Sequence, residues 1–103
     1  MASINKYLKE AKELVPKEQL TDEKKIEYLD KQIESFQTQA YRFEVDIEVA
    51  KRYIAVGEQI GGEEGYTSTG EKNIQESVQA LRAIVINIEK LCQIRDDLKK
   101  KSN

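Results

Sequence analysis

Histidine and tryptophan are both absent from the 103-residue chain, and cysteine, proline and methionine occur once each. Each gap closes off a class of chemistry. Without histidine, the usual general base and the commonest zinc ligand are missing. The two-iron helical bundle also fails, because it is built on Glu-x-x-His motifs. The single thiol, Cys92, has no internal disulfide partner, so nothing points to secretion. It falls on an apolar helix face with no base to activate it, which reads as a small buried hydrophobe rather than a nucleophile. The acids Glu44, Asp46 and Glu48 read as a solvated face, since nothing marks a working pair among them. No metal, no cofactor and no catalytic residue are therefore expected, and the chain is read as a protein that binds rather than an enzyme.

Long apolar runs are missing too. The longest, "AIVI" at Ala83 to Ile86, is far too short to cross a bilayer. The start, "MASINKYLKEAK", has no apolar signal core, and Ala2 breaks the myristoylation pattern. These features lead to the expectation of a cytoplasmic protein without a membrane partner. Charge of one sign is also lacking: 17 basic residues face 19 acidic ones, a net −2. A duplex nucleic-acid binder would show a basic face, and none is present. Charged residues make up 35% and hydrophobic ones 39%, a mixture that suits long solvated helices better than a sphere.

What the chain does have is helical periodicity. Ile4, Leu8, Ala11 and Val15 recur at helical spacing behind Ser3, a plausible N-cap, and Pro16 ends the run. This predicts a short helix over 3–15. Thr21 or Asp22 can cap the next helix. From there Ile26, Leu29, Ile33, Phe36, Ala40, Phe43, Ile47, Ala50 and Ile54 follow at alternating spacings of three and four, with Gly57 at the next seam position. A helix over 22–60 would be roughly 58 Å long. Gly57 and "SFQTQ" are its expected bending points. The stretch "FEVDIEVA" alternates at period two, as a strand would, but the heptad runs through it and decides for helix. A third helix is expected over 71–100. Its stripe is Ile74, Val78, Leu81, Val85, Ile88 and Cys92, widened by Ile84, Leu91 and Leu98.

Glycine is scarce and gathered. Four of the five glycines lie in "IGGEEGYTSTGEKNIQ", Ile60 to Gln75, and the fifth is Gly57. A turn between two helices needs far fewer residues, so 61–70 is expected as an open glycine-rich tip. Gly61, Gly62 and Gly65 would allow positive φ, and Gly70 would leave free amides at a helix start. Tyr66, Thr67, Thr69, Lys72 and Asn73 then place one aromatic plate, hydroxyls, an amide and a cation beside those amides. Such a set suits the base and phosphate of a nucleotide. The order of residues is not that of a P-loop. The plain alternative is a loop that only caps the third helix.

The stretch "YTSTGEKNIQESVQAL", Tyr66 to Leu81, resembles the start of the last helix in the phage anti-CBASS and anti-Thoeris nucleotide sponges. The shared elements are Tyr66, Gly70, Ile74 with Gln75, Ser77, and Ala80 with Leu81. The resemblance implies a short first helix, a long second helix, a turn and a long third helix. It also implies a compact oligomer that holds cyclic nucleotide signals between subunits without chemical turnover. Where that family carries a basic residue and a threonine after the glycine position, this chain has Glu71 and Lys72, so Lys72 would supply the cation. A base-stacking tyrosine near the start of the family's chain would correspond to Tyr7.

Together these readings give an all-α chain: a short N-terminal helix and a long antiparallel, coiled-coil-like helical hairpin. Val45, Val49, Tyr53, Val56 and Ile60 lie outside the seam, and helix one is expected to cover part of them. A second copy would cover the rest, making the chain its own partner in a homo-oligomer. Two functions fit this shape. One is capture of a small anionic signal, a cyclic nucleotide in kind. The other is a coiled-coil interaction module, an adaptor or inhibitor that grips a protein partner. A structural spacer is a third.

Overall fold

The computed structural model describes residues 2–60 and 63–102. They form three helices, α1 (Ala2–Leu14), α2 (Asp22–Ile60) and α3 (Glu63–Ser102), with no strand among the described residues. The long helices α2 and α3 pack on each other as an antiparallel hairpin. Thr21 starts α2 as its N-cap: its hydroxyl accepts the Lys24 N–H at 3.3 Å, and its carbonyl accepts the Lys25 N–H at 3.0 Å. Asp22 and Glu23 then meet the positive helix end. The helix continues unbroken through "FEVDIEVA" to Ile60. Within "SFQTQ", Thr38 donates its hydroxyl to the Glu34 carbonyl at 3.1 Å.

The α2 seam is the one its periodicity predicts. Leu29, Ile33, Ala50 and Gly57 are buried, and Ile26, Phe36, Ala40, Phe43, Ile47 and Ile54 are half-buried. The α3 seam keeps Ile74, Leu81 and Ile88 of the expected stripe and Ile84, Leu91 and Leu98 of its widening, but Val78, Val85 and Cys92 give way to Gly70, Ser77 and Arg95. It runs Gly70, Ile74, Ser77, Leu81, Ile84, Ile88, Leu91, Arg95 and Leu98, each buried or half-buried, at alternating spacings of four and three. Ile84 is 6% exposed while Val85 is 56% exposed, so Val85 belongs to the outer face. Val78 and Cys92 flank the seam, half-buried. Arg95 holds its seam position by reaching across the hairpin. Its guanidinium donates to Asp30 Oδ1 at 3.1 Å and to Asp96 Oδ1 at 3.4 Å. The bond to Asp30 raises the Arg95 pKa further above its ordinary value, so the charge is permanent.

Two expectations about the ends are corrected. Residues 63–70 of the expected tip are not open: α3 is helical from Glu63 onward. Gly61 and Gly62 lie outside the described residues. And α1 does not cover the hairpin. Every residue from Ser3 to Leu20 is exposed, and α1 packs against neither long helix. It ends at Leu14, two residues before Pro16, whose ring forces the chain out of the helix. The molecule is thus long and thin, 65 × 35 × 18 Å.

Candidate binding site beside the hairpin tip

Small residues bring the two helices together near the turn. On α2 these are Ala50 and Gly57, one heptad apart; on α3 they are Gly70 and Ser77, also one heptad apart. A Cβ at Gly57 would collide with the Tyr66 side chain, whose Cγ would stand 2.8 Å away. A Cβ at Gly70 would collide with Ile54 and approach the Ala50 carbonyl oxygen at 3.2 Å. Both glycines are helical, and their role is close approach of two backbones. Gly65 is also helical, with open space around it. The positive φ expected at Gly65 and the free amides expected at Gly70 are therefore absent. The helix start has moved seven residues or more upstream of Gly70, and its amides are spent inside the helix.

The absorbed tip places the candidate residues on different faces. Tyr66 is half-buried over Gly57, and its ring meets that of Tyr53 with centroids 4.7 Å apart at 43°. This is a tilted aromatic pair that ties the tip to α2. Thr69 and Asn73 line a cavity of about 400 Å³ between the helices, together with Phe43, Asp46, Tyr53, Glu76 and Ser77 among others. Thr67 is half-buried and Lys72 exposed, and neither lines this cavity. Tyr7 sits on α1, 68% exposed and away from the hairpin. Of the six residues singled out in the sequence, the fold brings Thr69 and Asn73 to one cavity and sets Tyr66 beside its wall.

The electrostatics of that cavity run against the expected ligand. Asp46 and Glu76 are both in its lining, and no lysine or arginine is. Asp46, Glu76 and Ser77 were not among the residues singled out. The register of α3 would have found Glu76 and Ser77, since they lie three and four residues beyond Asn73, on the side of the helix that carries Thr69. Asp46, on α2, joins them only through the pairing of the two helices. No group of three or more cysteine or acidic side chains among the described residues could hold a metal ion. None of the described helices is long and apolar enough to cross a membrane. No family model, curated protein or solved structure matches the chain.

Proposed function

We propose that this chain is a non-enzymatic interaction module that self-associates and captures a protein partner through the outer face of α2. The observation that carries this reading is area. The single chain exposes 8596 Å². A compact chain of this mass would expose about 5,900 Å². The excess, about 2,600 Å² per chain, is of the size that obligate assemblies bury. Its apolar part is concentrated. Tyr41, Val45, Val49, Tyr53, Val56 and Ile60 are each 40% exposed or more along one side of α2. The amphipathic α1 adds Ile4, Tyr7, Leu8 and Leu14, all more than half exposed. Helical faces of this kind are what helix-in-groove and coiled-coil partners take up.

Sedimentation at micromolar concentration tests the first part of the proposal, and the expected result is a dimer or larger. A monomer at that concentration would overturn it. Ile47→Asp, at a half-buried seam position, should disrupt folding or assembly, because it places an unpaired charge in the seam at a cost of several kcal/mol.

A second reading keeps the oligomer and changes the cargo. As the resemblance to phage nucleotide sponges implies, the assembly would sequester a cyclic nucleotide-type signal as an immune-evasion protein of the cytoplasm. The Tyr53–Tyr66 pair and the polar Thr69 and Asn73 support it. Asp46 and Glu76 weigh against it, so the phosphate-binding cations would have to come from another copy. α1 carries Lys6, Lys9 and Lys12 beside Tyr7, and it is free to reach one. Native mass spectrometry of protein purified from cells would report stoichiometry and retained small molecules together. Calorimetry against cyclic di- and trinucleotides and NAD-derived cyclic signals then decides: tight binding by the oligomer favours the sponge, and no binding leaves the protein-partner reading.

A further inference from the structure

The two acids that oppose an anion beside the tip favour its opposite. We propose that the cavity between α2 and α3 is a binding site for a small organic cation, an ammonium or guanidinium group on a short aliphatic chain. Its volume, about 400 Å³, lies within the range of small-molecule sites. Asp46 approaches from α2 and Glu76 from α3, and the lining holds no basic residue to neutralise either. Phe43 and Tyr53 add aromatic surface, which attracts cations through the ring quadrupole. One such contact already exists nearby: the Arg42 guanidinium stands 5.8 Å from the Phe43 ring centroid, although Arg42 does not line the cavity. Two carboxylates are too few for a metal cage, and no third acid or thiol joins them among the described residues. An organic cation is a better match, because hydroxyl and amide oxygens on Thr69, Asn73 and Ser77 can accept its remaining N–H bonds.

Ser77 is the second, independent observation. It is 5% exposed, it lines the cavity, and its hydroxyl makes no hydrogen bond. A buried serine inside a helix ordinarily turns its hydroxyl back to the carbonyl four residues earlier, as Thr38 does here with Glu34. Ser77 does not. No side-chain polar atom among the described residues is both sealed from solvent and unpaired, so the Ser77 hydroxyl opens onto the cavity. The seam position needs a small residue, and alanine would fill it with no hydroxyl to satisfy. A hydroxyl without a protein partner at the cavity lining is available to hydrogen-bond whatever enters, water or a ligand.

Calorimetry of the full chain at low salt, with agmatine and spermidine as probes, tests the site. At least one probe should saturate a single site per chain. Asp46→Asn and Glu76→Gln should each weaken that binding at least about tenfold. Ser77→Ala should weaken it less and leave the helix content unchanged. Glu89→Gln removes an exposed acid outside the cavity and should change nothing. The proposal is overturned if neither probe saturates at millimolar concentration, or if Glu89→Gln weakens binding as much as the cavity variants. It is also overturned if magnesium binds in the probes' place, or if a cyclic dinucleotide binds and loses affinity on substitution of Thr69 or Asn73. Sedimentation of the same samples reads the assembly proposal separately from probe binding, although the two surfaces share Val49 and Tyr53.

Discussion

Glycine has two different meanings in this chain, set by what lies opposite each residue. At Gly70 the neighbours are the Ile54 side chain and the Ala50 backbone oxygen, so an added methyl group must push two helices apart. Gly70→Ala should destabilise the hairpin by about 1–3 kcal/mol despite alanine's better helix propensity. At Gly65 nothing stands within 4 Å. Gly65→Ala should be neutral or stabilising, by up to about 1 kcal/mol. Chemical denaturation of the two variants side by side checks the contrast, and equal effects would show that helix contact does not select glycine at 70. The sequence displays the cluster of glycines but not this distinction. Glycine signals both turns and close packing, and only the partner across the interface tells them apart. For the same reason the residues of the cavity were half legible. Thr69 and Asn73 stood out as polar groups near glycine, whereas Asp46 read as part of a solvated acidic face and Glu76 carried no signal of its own until the hairpin brought both to one lining.

At the scale of an element, α2 was legible throughout its seam and α3 only in part: its helix and its six aliphatic seam residues were, its small and charged ones were not. Every seam position of α2 up to Ile54 is apolar, so the heptad declares itself. In α3 the seam includes Gly70, Ser77 and Arg95, which no count of hydrophobic residues registers. The eye then follows Val78, Val85 and Cys92 onto the neighbouring face. Alanine substitution separates the two registers. Ile84→Ala should cost about 2–4 kcal/mol of hairpin stability and Val85→Ala within about 0.5 kcal/mol. Comparable losses at both sites would place the seam elsewhere or put Val85 in an interface. Arg95 is the seam's ionic member, with half-exposed Asp30 as its partner. Arg95→Leu should raise the unfolding midpoint, since a branched apolar side chain suits the position, and it should remove part of the salt dependence. α1 was legible as a helix but not as an unpacked one. Periodicity shows that it has an apolar face and says nothing of where that face goes. Leu8→Asp should leave the hairpin's stability within about 0.5 kcal/mol of the parent while weakening self-association, as read by unfolding and sedimentation together.

For the whole molecule, shape is the main result. A radius of gyration of 20.9 Å compares with about 13 Å for a compact chain of this length. Among the described residues no large side chain is more than 98% buried, so the hairpin has a seam rather than a core. Such a seam holds contacts of very different sequence separation. At one end Gly57 meets Tyr66 across the turn; at the other, Asp30 meets Arg95, 65 residues away. Closing a short loop costs less entropy than closing a long one, so pairing should begin at the tip and propagate toward the open ends. The Gly57–Tyr66 contact is then expected to be among the first to form. Tyr66→Ala should slow refolding, with a φ-value well above that of Arg95→Ala, which should act mainly by speeding unfolding. The hairpin would accordingly fray from the end that carries α1. The last part of the seam to close, and the first to open, is the part from which α1 hangs.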